Sequence, residues 1–208
     1  MWRRLSSPNP ALNVFRRNEP VATDTIYGPE PAVDNGSTAA QFFIGRISGF
    51  CASEGLGVSD HCFPIALMNH IRKYGAMDVL ISDNAKAQIS DRVKEILGTF
   101  AVDNRTSEPH NKNQNFAERG YRDIKRMVER LLDMSGAPNY CWLLALEHAC
   151  LRSTPDITVL LCFIFYQPVY YRSFDSEDDQ ELLGRFVGIV GIAETVGHSM
   201  TFTTLSSE

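Results

Sequence analysis

The sequence lacks a hydrophobic run long enough to cross a membrane. Its longest predominantly apolar stretch, residues 157–166, has ten residues, half of the about 20 that a membrane-spanning helix needs. It also lacks a secretory signal, because no apolar segment follows the charges at the N-terminus. The arginines and serines there are shared with transit peptides, but Pro8 and Pro10 interrupt any amphipathic helix. We therefore expect an intracellular protein without membrane partners.

The cysteines lack the spacing of a disulfide or zinc framework. The five cysteines are odd in number and form no C-x-x-C pair, and the histidines are not at metal-ligand spacing. We expect buried, reduced thiols and no structural zinc. The residues concerned are Cys51, Cys62, Cys141, Cys150 and Cys162.

The composition is that of a globular protein without a strong excess of either charge. Of 208 residues, 44% are hydrophobic and 22% charged, with 20 Lys and Arg against 25 Asp and Glu, a net charge of −5. This excludes a disordered chain. It also argues against nucleic-acid binding over the whole surface, but it leaves room for a local basic surface.

The order of predicted elements indicates a mixed α/β protein in three parts. Residues 1–20 are predicted to be a flexible basic tail, residues 21–152 a core, and residues 153–208 a small β-rich module. Apolar periodicity in the core predicts strands, helices and one polar loop. The strands are 21–27, 40–50 and 79–81; the helices are 61–74, 85–100, 116–134 and 139–151; the loop is 104–115.

Three carboxylates stand where predicted strands and helices begin or end. Asp24 lies in the first strand, Asp83 follows the strand at 79–81, and Glu118 lies near the start of a helix. If the two strands are neighbours, both aspartates face one rim of the sheet, and a helix packed across that rim adds Glu118. Such oxygen ligands suit Mg²⁺ or Mn²⁺, and a pair of these ions assists phosphoryl transfer.

Each acid taken alone also has a purely structural explanation. Asp24 can be an ordinary polar strand residue, and Asp83 with Asn84 can be only a turn and helix cap. Glu118 follows Asn115 by three residues, as in a capping box. The joint spacing of the three acids, rather than any one of them, favours a metal site.

Several segments resemble the integrase core of copia-type retroelements. They are Thr23-Asp24-Thr25, Leu80-Ile81-Ser82-Asp83-Asn84-Ala85, and Pro109-His110 followed by Gln114-Asn115-x-Ala117-Glu118-Arg119. Thirty-four residues separate Asp83 from Glu118, similar to the D,D-35-E arrangement of that family. Segments around Gly136-Ala137-Pro138, Pro168-Val169-Tyr170 and Gly184-Arg185-Phe186 resemble regions further downstream.

The resemblance implies an RNase H-like mixed sheet flanked by helices and followed by the small β-rich module. It implies strand transfer and 3′-end processing of DNA, with Asp24, Asp83 and Glu118 holding two Mg²⁺ or Mn²⁺ ions. Asn84 and Lys86 would contact DNA, and Gln114 and Asn115 would belong to the loop before Glu118. An active enzyme would work in the nucleus on chromosomal DNA, and the chain could form a homo-oligomer.

The basic residues that follow Glu118 on the predicted helix 116–134 form a candidate DNA-binding surface. Acidic residues interleave with them at helical spacing, so a simple solvated face with ion pairs explains them equally well. The basic residues are Arg119, Arg122, Lys125, Arg126 and Arg130.

The sequence departs from the family in four places. No zinc-binding His-His-Cys-Cys segment precedes the core, Phe116 stands where a glycine or proline is favoured, residues 152–156 join segments that the family separates, and residues 1–20 match nothing in it. An impaired integrase is therefore the leading hypothesis. An RNase H-like nuclease that only hydrolyses, and an inactive remnant that binds nucleic acid or a protein, are the alternatives.

Overall fold

The computed structural model describes residues 15–56, 62–83, 90–106, 116–153, 165–172, 181–192 and 200–206. Its centre is a five-stranded mixed sheet in the order β3-β2-β1-β4-β5. β1, β2 and β3 are antiparallel neighbours, while β4 and β5 run parallel to β1. The strands are β1 (Pro20–Tyr27), β2 (Ala39–Gly45), β3 (Cys51–Leu56), β4 (Val79–Ser82) and β5 (Asp103–Thr106).

Helices cover both faces of this sheet. On one face α1 and α2 pack against Val21, Phe43 and Leu80. On the other face α3 and α4 pack against Ile26 and Phe42. The mixed α/β prediction is confirmed. The helices are α1 (Cys62–Tyr74), α2 (Asp91–Thr99), α3 (Phe116–Ser135) and α4 (Trp142–Ser153), with a 3₁₀ turn at Asn139–Cys141.

Two adjacent phenylalanines show how the sheet separates the two layers. Phe42 and Phe43 follow one another on β2, and neither is exposed to solvent. Successive side chains of a strand point to opposite faces, so Phe42 enters the α3–α4 layer and Phe43 the α1–α2 layer. A strand with apolar residues on both faces is typical of a central, doubly covered sheet.

The C-terminal part forms a second sheet of three antiparallel strands in the order β6-β7-β8. This agrees with the predicted β-rich module. The strands are β6 (Gln167–Arg172), β7 (Glu181–Ile192) and β8 (Met200–Ser206).

The predicted strand at 40–50 was wrong in its second half, because the chain turns at residues 46–48. Glu19 holds this turn: its carboxylate accepts hydrogen bonds from the backbone N–H of Ile47 (3.1 Å) and Ser48 (3.0 Å) and from the Ser48 hydroxyl (2.8 Å). Glu19 lies 28 positions before Ile47, so this partner cannot be found from the residues around the turn, although Ser48-Gly49, with Gly49 at φ +66°, is a local turn signal.

Glu19 is a buried carboxylate, with 4% of its surface exposed. Burial acts to raise its pKa, but the hydrogen bonds from Ser48 and Ile47 and the positive charge of Arg17 outweigh burial and lower it. Arg17 Nη2 lies 3.3 Å from Glu19 Oε1. These partners compensate the cost of a buried charge and attach the start of β1 to the β2–β3 turn.

Two further boundaries differ from the prediction. The predicted helix at 85–100 begins only at Asp91, because Ser90 has an extended backbone (φ −62°, ψ 154°) that no helix can pass through; residues 84–89 are outside the described residues. The first part of the predicted loop at 104–115 belongs to β5, which pairs with β4. All four residues of β5 are exposed, so hydrophobicity does not reveal this edge strand.

Three of the four cysteines that the structure describes agree with the prediction of buried thiols. Cys51, Cys141 and Cys150 are buried and Cys62 is half-buried, all as cysteines outside any disulfide. Cys162 lies outside the described residues. Among the helices that the structure describes, none combines the length and the apolar character needed to cross a membrane.

Candidate active site

The pairing of β1 with β4 places the two candidate aspartates at one rim of the sheet. The strands are parallel, with Ala22 opposite Ile81. Continuing this register by two residues brings Asp24 beside Asp83, at the carboxyl end of β4. Neighbouring strands lie about 4.8 Å apart, so the order of the sheet brings together two side chains that are distant in sequence.

Helix α3 brings the third acid to the same rim. α3 lies across β1 and β2 on the Phe42 face, where Ile124 is buried and the Tyr121 ring centroid lies 5.9 Å from that of Phe42. Phe42 pairs with Asp24 in the β1–β2 register. Glu118 precedes Tyr121 by one turn of the helix, so packing of the helix brings the Glu118 charge within electrostatic reach of Asp24.

The charges of Asp83 and Glu118 act on Asp24. Burial raises the pKa of Asp24, and the negative charges of Asp83 and Glu118 raise it further, while a hydrogen bond from the Thr25 backbone N–H opposes the rise. That bond is 2.8 Å long and ends on Asp24 Oδ1. Repulsion among three carboxylates is what a bound cation relieves.

The donor set fits a hard divalent cation in its chemistry, since it consists of carboxylate oxygens at a rim where Asp83 is exposed and Asp24 half-buried. Glu118 lies 3.9 Å from the guanidinium of Arg122, and 43% of its side chain is exposed. Within the described residues, no three His, Cys, Asp or Glu side chains stand close enough together to hold a metal ion. Joint ligation by the three acids would therefore require their side chains to move.

The predicted DNA-binding residues of α3 are all exposed. Two of them make weak helical ion pairs, Arg122 with Glu118 and Lys125 with Glu129, each at 3.9 Å. Exposed pairs of this kind contribute less than about 1 kcal/mol, so the cations can exchange these partners for phosphate. The five residues are Arg119, Arg122, Lys125, Arg126 and Arg130.

The other four predicted DNA-contacting residues, Asn84, Lys86, Gln114 and Asn115, are outside the described residues. Their assignment stays a prediction.

Sequence reasoning missed an aromatic group beside the acids. Burial raises the pKa of Tyr121, and the charge of Asp24 raises it further, so the phenol lies within the electrostatic reach of that carboxylate. Tyr121 follows Glu118 by three positions, a spacing that places both on neighbouring parts of one helix face. That spacing is present in the sequence, but it does not by itself show that Tyr121 lies beside Asp24.

Comparison with known proteins supports the fold. No protein-family model matches the chain, and no curated protein matches its sequence. Among solved structures, the catalytic core domain of BIV integrase matches with a TM-score of 0.51 at 17% identity, over 65% of this chain and 82% of that one. The HTLV-2 integrase catalytic core domain in complex with magnesium, in a dimeric form, matches with a TM-score of 0.50 at 18% identity, over 65% and 85%.

The five-stranded mixed sheet with its flanking helices is thus the RNase H-like fold of integrase catalytic cores. The predicted fold class is confirmed. At 17–18% identity the likeness establishes the fold and not the activity.

The electrostatics of Asp24 predict that its charge destabilises the fold. A carboxyl group whose pKa is raised by folding binds its proton more tightly in the folded state, so stability falls as the pH rises through the ordinary aspartate pKa of about 3.9 and the raised folded one. We expect Asp24→Asn to increase the free energy of unfolding at pH 7 by up to about 1 kcal/mol, the usual size of a single substitution. The gain should shrink as the pH is lowered below 4, which urea titrations at several pH values can measure.

The matched control is Asp123→Asn, which changes an exposed aspartate on α3 and should alter stability by no more than about 0.5 kcal/mol. An Asp24→Asn variant that is less stable than the wild type at pH 7 would contradict the repulsion described here.

Proposed function

We propose that this chain is an integrase-type polynucleotidyl transferase of the copia kind, which cuts and joins DNA with a divalent metal. The observation that carries the proposal is the register of β1 with β4, which sets Asp24 beside Asp83, together with the packing of α3 on Phe42 next to Asp24; the charges of Asp83 and Glu118 accordingly raise the pKa of Asp24. These acids come from β1, from the end of β4 and from α3, and their coupling has no evident structural purpose, because it raises the energy of the folded chain.

The three carboxylates would hold Mg²⁺ or Mn²⁺, as a pair of ions. The HTLV-2 core is described in complex with magnesium, which supports the same choice here. When bound, such ions activate the attacking oxygen and stabilise the leaving oxygen of a phosphodiester. Asp24 is set by the Thr25 N–H, while Arg122 competes for Glu118 and would have to release it.

The basic side chains of α3 would hold the DNA backbone next to these acids. They extend from the turn that contains Glu118 along the exposed side of the helix. Phosphate contacts of this kind position the duplex without reading its sequence, and binding through them should weaken as salt is raised. Work on chromosomal DNA would place the protein in the nucleus.

Association of several copies is part of the proposal. The HTLV-2 core is described in a dimeric form. Two copies would serve the joining reaction by holding the two ends of an element, whereas hydrolysis alone needs only one active site.

A second candidate is a nucleic-acid-binding protein without catalytic activity. It is favoured by the ion pair that Glu118 makes with Arg122 and by the lack of a preformed three-ligand cluster in the ranges that the structure describes. On this view the fold and the basic helix persist, but the acids do not bind metal.

The test is the product spectrum from end-labelled short DNA duplexes incubated with Mn²⁺. Strand transfer yields labelled strands longer than the input, whereas a nuclease that only hydrolyses yields shorter strands alone. A protein that binds the duplex in a salt-sensitive manner, but releases neither product and gains no thermal stability from Mn²⁺, would contradict the proposed function and support the second candidate.

A further inference from the structure

A cavity of about 370 Å³ opens next to the acidic rim, between the end of β1 and helices α3 and α4. This volume lies within the range of about 300–1,000 Å³ found for small-ligand pockets. Three aromatic side chains line it, together with polar groups from α3 and the 3₁₀ turn. The residues used below are Tyr27, Tyr121, Lys125, Glu129, Asn139 and Trp142.

Trp142 forms a rigid part of the wall. Its ring is 4% exposed, and its Nε1 donates a hydrogen bond of 2.7 Å to the carbonyl oxygen of Glu30. The ring also lies directly on Gly28, where an added Cβ would come within 2.1 Å of it. Any other residue at position 28 would push the ring away, so glycine is needed for the shape of this wall.

Tyr27 is the exposed aromatic group of the cavity. Most of its surface, 80%, is accessible to solvent, although it ends a strand whose other residues are mainly buried. A large aromatic side chain left in water beside a cavity has a ring face available for stacking. Base–aromatic stacking contributes about 1–3 kcal/mol for each base and tolerates any base.

One residue of the cavity wall, Tyr121, links the cavity to the acids. Tyr121 lines it, and the same side chain lies against Phe42 and within reach of the Asp24 charge. A ligand in this cavity is therefore adjacent to the DNA that the acids would act on.

Polar groups line the cavity beside the aliphatic side chains of Val128, Leu132 and Leu146, and a nucleotide can use them. Lys125 and Glu129 stand at the edge, 3.9 Å apart, with more than half of each side chain exposed. Such a pair contributes little, so the ammonium group can turn to a phosphate. The Glu129 carboxylate and the exposed Asn139 amide can bind the polar edge of a base.

We propose that this cavity, defined by Tyr27, Tyr121, Lys125 and Trp142, receives one unpaired nucleobase of the DNA strand held at the carboxylate rim. The base stacks on Tyr27, and its phosphate contacts Lys125. The choice of DNA as the ligand rests on the proposed function. Binding of the base itself requires neither a metal ion nor cutting or joining of the DNA.

The test uses the fluorescence of Trp142, which is the only tryptophan left in a Trp2→Phe background. Short single-stranded thymidine or adenosine oligonucleotides are titrated in the presence of EDTA. We expect saturable quenching, and we expect Tyr27→Ala to weaken binding about 5- to 150-fold, the equivalent of 1–3 kcal/mol. Tyr27→Phe, which keeps the ring, should bind like the parent.

Two controls separate stacking from charge and from general damage. An abasic oligonucleotide of the same length carries the same phosphates and should bind as weakly as normal DNA binds to Tyr27→Ala. Phe15→Ala removes another exposed aromatic side chain, 73% accessible, next to Gly75 and before the start of β1, and should leave quenching unchanged.

Equal quenching by abasic and normal oligonucleotides, no quenching by either, or unchanged binding in Tyr27→Ala would each overturn the proposal. Failure of the base-binding proposal can be distinguished from failure of the proposed function. Base-dependent quenching without any DNA cleavage refutes the enzyme and keeps the base site. Cleavage that depends on the acids, with binding unaffected by Tyr27→Ala, refutes the base site and keeps the enzyme.

Discussion

Asp83→Asn is expected to reduce Mn²⁺-dependent cutting and joining of DNA at least about 100-fold. The substitution keeps the size of the side chain but removes the charge that a divalent cation requires. Loss of a group that merely supports a metal ligand already costs 10–100-fold, so loss of a direct ligand should cost more. Asp83 is exposed at the end of β4, so the variant should fold, and the rate of product formation measures the effect.

Asp103→Asn is the matched control for this experiment. Asp103 is also an exposed aspartate of the sheet, but it begins β5, at the opposite end of the parallel strands from Asp83. Its replacement should leave the rate unchanged. Equal activity in Asp83→Asn and the wild type would remove Asp83 from the site and, with it, the metal-dependent mechanism.

Phe42→Ala is expected to lower the free energy of unfolding by about 3–5 kcal/mol, the usual cost of removing a buried phenylalanine ring. Phe42 is fully buried and lies between the sheet and Tyr121 of α3. The cavity left behind would loosen the packing that holds α3 over β1. Urea unfolding measures the loss, and any surviving activity should fall as well, because α3 carries Glu118.

Ile47→Ala provides the comparison for a surface position. Ile47 is 76% exposed in the β2–β3 turn, and its replacement should change stability by no more than about 0.5 kcal/mol. A loss below 1 kcal/mol for Phe42→Ala would mean that α3 does not pack on the sheet as described.

The two activities predicted near α3 depend on side chains of one helix. Glu118 is a proposed metal ligand and Tyr121 a proposed wall of the base site, whereas Lys125 is proposed to contact a phosphate in both. If both proposals are correct, α3 aligns a DNA strand at the acids through two contacts. Its basic side chains bind a phosphate, and the adjoining cavity holds a stacked base. Positioning of this kind is a large part of how phosphoryl transfer is accelerated.

Local patterns in the sequence predicted most elements of the core. The apolar residues of α3, from Ala117 through Ile124 to Leu131, repeat at helical spacing, and the structure buries or half-buries all three. The short apolar run at β4 likewise predicted a strand. These patterns are readable because one face of each element must be removed from water, whatever its partner is.

The candidate acids were found in the sequence only as separate residues with a suggestive spacing. Their meeting depends on β1 and β4 being neighbours, although β2, β3 and α1 lie between them in the chain. Nothing in either strand alone specifies that pairing. The coupling of Asp24 with Asp83 and Glu118 is therefore a property of the sheet order and of the placement of α3.

By itself, the sequence determined the α/β class, the periodic faces of the helices and the three acids as candidates, because periodicity and residue chemistry are local. Tertiary structure alone decided the anchoring of the β2–β3 turn by Glu19 and the cavity between Tyr27 and Trp142. Each of these depends on contacts between distant segments. For example, Trp142 Nε1 donates a hydrogen bond to the carbonyl oxygen of Glu30, which lies 112 positions earlier in the sequence. Such contacts form only when the whole chain packs, since many pairs of segments are equally compatible with the same local patterns.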